Sequence, residues 1–155
     1  MSIKTFGELI EGVRLRHKNL AFCLAHGAHH HKEQRAQMLL KYLAAQEAEI
    51  VRVMADFERS ASSQALNTYV PFLYAALEQQ PSQTHNACNV PYASLCIDEV
   101  AEEIFDFHHQ VIEFYHQLSN EAQIPEAKEL LESLLAFEQH EEMSMARQFG
   151  SINDI

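Results

Sequence analysis

Apolar residues recur at steps of three and four through most of this chain, the period of helices that bury one face. Phe6, Ile10, Val13, Leu20 and Leu24 form a first stripe. Thr5 to Glu8 reads T-F-G-E, a capping box that starts this helix, and Gly27 is placed to stop it. A second stripe begins near Gln34 and runs through Ala36, Leu39, Leu40, Leu43, Ile50, Met54 and Phe57. A third extends from about Ser94 to Leu118 through Ile97, Val100, Ile104, Val111 and Tyr115. Pro125 suits the first position of a fourth helix, which carries Ala127, Leu130, Leu131, Leu134 and Met145 and stops at Gly150. Short loops join the first helix to the second and the third to the fourth, predicting antiparallel helical hairpins over residues 5–58 and 94–149. Between them lie a polar break at Ser60–Ser63, a short helix near 65–80 interrupted at Pro71, and a loop from Pro81 to Pro91. A connection of roughly 35 residues is long for a compact domain, and its purpose is to carry the chain back along the bundle. The expected architecture is therefore all-α: one antiparallel four-helix bundle over residues 1–155, two hairpins joined by a long crossover.

Composition narrows the partners. Only four Gly, four Pro and no Trp in 155 residues, with 47% hydrophobic residues, support a helical domain with a substantial core. A formal net charge of −11 speaks against nucleic acid and against an anionic membrane surface. No apolar run approaches the ~20 residues of a membrane span, and Met1–Phe6 lacks a signal-peptide pattern, so the expected location is cytoplasmic. Cys23, Cys88 and Cys96 are odd in number and form no CxxC pair, which fits reduced thiols and excludes a zinc-ribbon appendage.

The two hairpins align without a gap at an offset of 91, which places Val13 on Ile104, Leu20 on Val111 and Ala36 on Ala127. Leu39, Leu40 and Leu43 fall on Leu130, Leu131 and Leu134, and Met54 on Met145. Amphipathic helices align on Leu and Ala by default, so the informative matches are the polar ones. His17 falls on His108 and Glu47 on Glu138. His17 lies between Val13 and Leu20, His108 between Ile104 and Val111, and Glu47 between Leu43 and Ile50, while Glu138 follows Leu134. Helical geometry points all four side chains inward. A carboxylate there is costly unless it is paired, hydrogen-bonded, protonated or bound to a metal.

The stretch from Glu113 to Arg147 has a helix with F-Y near its end, a short loop with Pro125 and a helix carrying Glu138. It resembles the rubrerythrin branch of the ferritin-like superfamily, and the first hairpin is a weaker copy. The resemblance implies a metal site inside the bundle, built from a Glu on the first helix and Glu-x-x-His on the second helix of each hairpin, together holding two irons. The chain departs from that pattern. Counting back seven residues from Tyr115 gives His108, and from Leu24 gives His17, where the family carries glutamates. Ile50 and Glu141 stand where it carries histidines. The remaining candidate ligands are His17, Glu47, His108, Glu138 and Glu141, with Tyr115 as a supporting aromatic beside them. Two His with two or three carboxylates suit one iron, zinc or manganese ion, with two metals and water in the open positions as the alternative, and redox chemistry toward oxygen, peroxide or iron as one outcome. The other reading is a metal-free His–Glu layer that fixes helix register in a non-enzymatic module acting through self-association or a protein partner. The resemblance also implies a homodimer, with the apolar segment Tyr69–Leu77 as a candidate contact. His26 and His29–His31 read as a solvated hairpin tip that binds metal only adventitiously.

Overall fold

In the computed structural model, which describes residues 5–68 and 88–153, four long helices form the predicted all-α bundle. They are α1 (Phe6–His30), α2 (Gln34–Ser60), α4 (Ile97–Glu121) and α5 (Pro125–Asn153), with the short α3 (Ser63–Leu66) after α2. A 3-10 turn, Tyr92–Ser94, leads into α4. No strand forms among the described residues, and none of their helices is long and apolar enough to cross a membrane.

The helix starts follow the local chemistry. Thr5 Oγ1 accepts from the Glu8 amide at 3.1 Å while Glu8 Oε1 accepts from the Thr5 amide at 3.4 Å, so the predicted capping box is present. Glu99 Oε1 accepts from the Cys96 amide at 2.9 Å, an equivalent device at the start of α4. Each box satisfies backbone donors that the first helical turn leaves open.

The crossover joins opposite ends of the bundle. Its start lies beside the start of α1, where the Phe6 amide donates to the Thr68 carbonyl at 3.0 Å. Its end lies beside the end of α1, where His31 Nε2 meets the Leu95 carbonyl at 2.8 Å. The chain therefore travels the length of a 25-residue helix, about 37 Å at 1.5 Å per residue, and α4 runs antiparallel to α1. The segment Tyr69–Leu77 lies outside the described residues.

Repeat-equivalent positions share one core. Ala36 and Ala127, Leu40 and Leu131, Leu43 and Leu134, and Met54 and Met145 are all buried. Leu24 and Tyr115, also equivalent, are both completely enclosed.

The structure differs from the sequence expectations at both glycine stops. α1 continues past Gly27 to His30, and α5 continues past Gly150 to Asn153. At position 27 the missing Cβ serves packing instead of termination: a Cβ there would stand 2.6 Å from Tyr92 Cβ and 3.3 Å from the Ala93 amide nitrogen. The crossover's return is seated against bare helix backbone. Gly27→Ala should therefore push the Tyr92 turn off α1 and lower stability by about 1–3 kcal/mol, the usual range for overpacking. A urea midpoint unchanged from the parent protein would show that the turn moves at no cost.

The expectation of three reduced thiols is also corrected. Cys23, buried on α1, forms a disulfide with Cys88, and the two Cα atoms are 5.4 Å apart. Cys96 remains free and exposed. The bond ties the returning crossover to the last third of α1, close to the Gly27–Tyr92 contact.

Candidate functional site

His17, Glu47, His108 and Glu138 come one from each long helix and meet at the middle of the bundle. All four are 0% exposed. His17 Nδ1 contacts Glu47 Oε1 at 2.7 Å, and His17 Nε2 contacts Glu138 Oε1 at 2.7 Å. His108 Nδ1 contacts Glu138 Oε2 at 3.2 Å, and His108 Nε2 contacts Glu47 Oε2 at 2.8 Å. The result is a closed ring of four side chains. Each imidazole uses its Nδ1 within its own hairpin and its Nε2 across to the other, so the ring repeats the internal duplication atom for atom.

Proton counting fixes the charge of this ring. Four nitrogen–oxygen contacts require four protons, one in each. Two imidazolium ions and two carboxylates supply them, and the net charge is then zero. Burial alone would lower the pKa of His17, but the charges of Glu138 and Glu47 and their hydrogen bonds outweigh it and raise the value to about 10. For His108 burial likewise opposes the charge, and the bonds to Glu138 and Glu47 outweigh it, raising the value to about 9 despite the nearby His17. Burial would raise Glu138, yet the His17 charge and the bonds from both imidazoles bring it down to about 2. Glu47 is lowered by the same balance.

These directions set a pH profile. The histidine pKa values are raised, so their stabilisation is whole below the ordinary 6.5 and is lost as pH climbs through about 9 and 10. The glutamate values are depressed, so their stabilisation is whole above the ordinary 4.5 and is lost as pH falls toward 2. The ring's contribution should therefore be greatest between about pH 4.5 and 6.5 and decline on both sides. Thermal unfolding across pH, compared with H17L/E47M/H108L/E138M, measures that contribution. Parallel curves for the two proteins would show that the ring does not carry it.

Two neighbours missed in the sequence close one side of the ring. The Phe107 ring stands edge-on to His17 with centroids 5.1 Å apart, and to His108 at 5.6 Å. The Arg16 guanidinium lies over Phe107, 5.7 Å from its centroid. Positions 16 and 107 are themselves equivalent at the 91-residue offset, each just before a ring histidine. That relation was the available signal.

The other predicted residues lie outside the ring. Glu141 is half-buried and makes no hydrogen bond to the ring; burial first, with Glu138 and Glu47 nearby, raises its pKa against the pull of His140 and His108. The Tyr115 hydroxyl is wholly buried and has no hydrogen-bond partner among the described residues. Burial, then the charges of Glu138 and Glu58, push this phenol well above its ordinary value. An unpaired buried hydroxyl costs about 1–3 kcal/mol, so Tyr115→Phe should be neutral or stabilising. A loss of stability on removing that one oxygen would reveal a partner for it.

His26, His29 and His30 lie within α1 instead of in a loop. His31 is the C-cap, its amide donating to the Gly27 carbonyl at 2.9 Å; its Nδ1 accepts from the Glu33 amide at 3.0 Å, so Nε2 carries the proton and donates to the Leu95 carbonyl. His26 and His30 are exposed one turn apart, ring centroids 4.5 Å from each other, a spacing at which two imidazoles on a helix can share a metal ion.

A metal ion is compatible with the ring's donor set. Ligand atoms of His17, Glu47 and His108 all lie within 4.8 Å of one another, and Glu138 bonds to both imidazoles. The donor set departs from the two-iron pattern that the resemblance implies: the ring holds two carboxylates, and Glu141 makes no hydrogen bond to it. Neither a family model, a curated protein nor a solved structure matches this chain. The reading of the site therefore rests on its own geometry.

Proposed function

We propose that this chain is a ferritin-like metal-binding bundle in which His17, Glu47, His108 and Glu138 hold an iron, zinc or manganese ion. The convergence of ligand atoms from His17, Glu47 and His108 within 4.8 Å, wholly removed from solvent, carries the reading. Apolar residues of similar size would build the same core with less desolvation, and inward clusters of shifted ionisable groups are candidates for function. The remaining imidazole N–H groups, each on a carboxylate, would orient the ligands, and Phe107 closes the side facing Arg16. A bound ion supplies Lewis acidity and, for iron or manganese, a redox couple.

One observation favours a second reading. Every polar atom of the ring is already bonded, so the four side chains also make a complete metal-free network that sets helix register. Elemental analysis of protein purified without an affinity tag separates the two. Metal in stoichiometric amount that disappears in the Glu47→Ala, Glu138→Ala double variant supports the metal centre. Metal-free protein whose unfolding temperature ignores added iron(II), zinc(II) and manganese(II) leaves only the network.

A further inference from the structure

We infer that the ring takes a single divalent ion and excludes a second, a conclusion that rests on the metal-binding reading above. The ring contains two carboxylates, Glu47 and Glu138, and two imidazoles that bind metal as neutral donors. One divalent ion therefore leaves the centre with no net charge. With the imidazoles neutral, a second would leave a charge of +2 among side chains that are 0% exposed, a costly charge to hold in a buried core. Turning the half-buried Glu141 inward as an ionised ligand would still leave one uncompensated positive charge.

The bonding pattern leads to the same count. Each histidine engages both ring nitrogens and each glutamate both oxygens. One ion takes one nitrogen from each imidazole and one oxygen from each carboxylate. That leaves two N–H···O bonds to hold the ligands in orientation. With neutral imidazoles a second ion finds no free ring nitrogen: it could use those positions only by stripping the last proton from each imidazole, which would also break both remaining hydrogen bonds. The same charge count applies to a single trivalent ion, which would leave +1, so the divalent state is the one this core matches.

Cobalt(II) tests the count on the full chain carrying H26Q/H30Q, which removes the exposed imidazole pair as a competing site. After anaerobic loading and gel filtration, elemental analysis should find one cobalt per chain, and electron paramagnetic resonance one isolated high-spin ion. Two ions per chain with a mutually quenched signal would overturn the single-ion inference while leaving metal binding intact. No retained cobalt would overturn the metal-binding reading and this inference together. A single ion still held when H17L/E47M/H108L/E138M is added would place it outside the ring and overturn the inference as well.

Discussion

Replacing Glu138 alone by alanine should cost about 3–5 kcal/mol of stability, whereas replacing all four ring residues by H17L/E47M/H108L/E138M should cost little or stabilise the fold. The asymmetry follows from the ring's closure. Glu138 accepts from His17 at 2.7 Å and from His108 at 3.2 Å, so its loss strands two imidazole nitrogens on side chains that are 0% exposed. Those histidines must then give up protons or keep an unpaired charge, and both are expensive. The fourfold replacement removes donors and acceptors together and keeps roughly the same volume, with methionine able to fill irregular space. The four single changes should be strongly non-additive because they share one network. Chemical denaturation of the single and fourfold variants checks this. A fourfold variant as unstable as the summed singles would show that each side chain has a separate role.

Reducing the Cys23–Cys88 disulfide should cost about 4 kcal/mol, the chain-entropy value for a loop closed across 65 residues. The bond links α1 directly to the returning crossover, so the effect should appear as easier opening of the contact between Tyr92 and Gly27. Thiol titration of denatured protein never exposed to reductant should find one reactive group, Cys96. Three reactive groups would contradict the bond. C23A/C88A should match the reduced protein in urea, since both lose the same closure.

The helices and the direction of the four ring side chains were legible in the periodicity, because burying one face of a helix leaves a mark every three or four residues. Partner choice was not. A stripe shows that His17 faces inward, but whether its Nε2 meets Glu47 or Glu138 depends on how α1 and α5 pack. Spacing also treats Ile50 and Glu141 alike, three residues beyond a ring glutamate. Ile50 is completely buried, while the charged Glu141 stays half-buried and out of the ring. At Gly27 composition signalled a stop, yet the helix continues and bare backbone admits Tyr92 from a segment distant in sequence. The Cys23–Cys88 bond was invisible for the same reason, since an odd cysteine count with no short spacing carries no record of a long-range pair. Local chemistry placed the caps; only the tertiary contacts revealed why a glycine and a cysteine stand on α1.

The most direct test is nitrogen-15 NMR of the imidazoles in metal-free protein near pH 6, followed by saturation with zinc. Four slowly exchanging imidazole N–H signals should belong to His17 and His108, one for each ring nitrogen. Zinc should remove one from each histidine and leave the other bonded to its carboxylate. Fewer than four such signals before zinc would contradict the closed ring, and four signals unchanged at saturating zinc would contradict its role as a metal site.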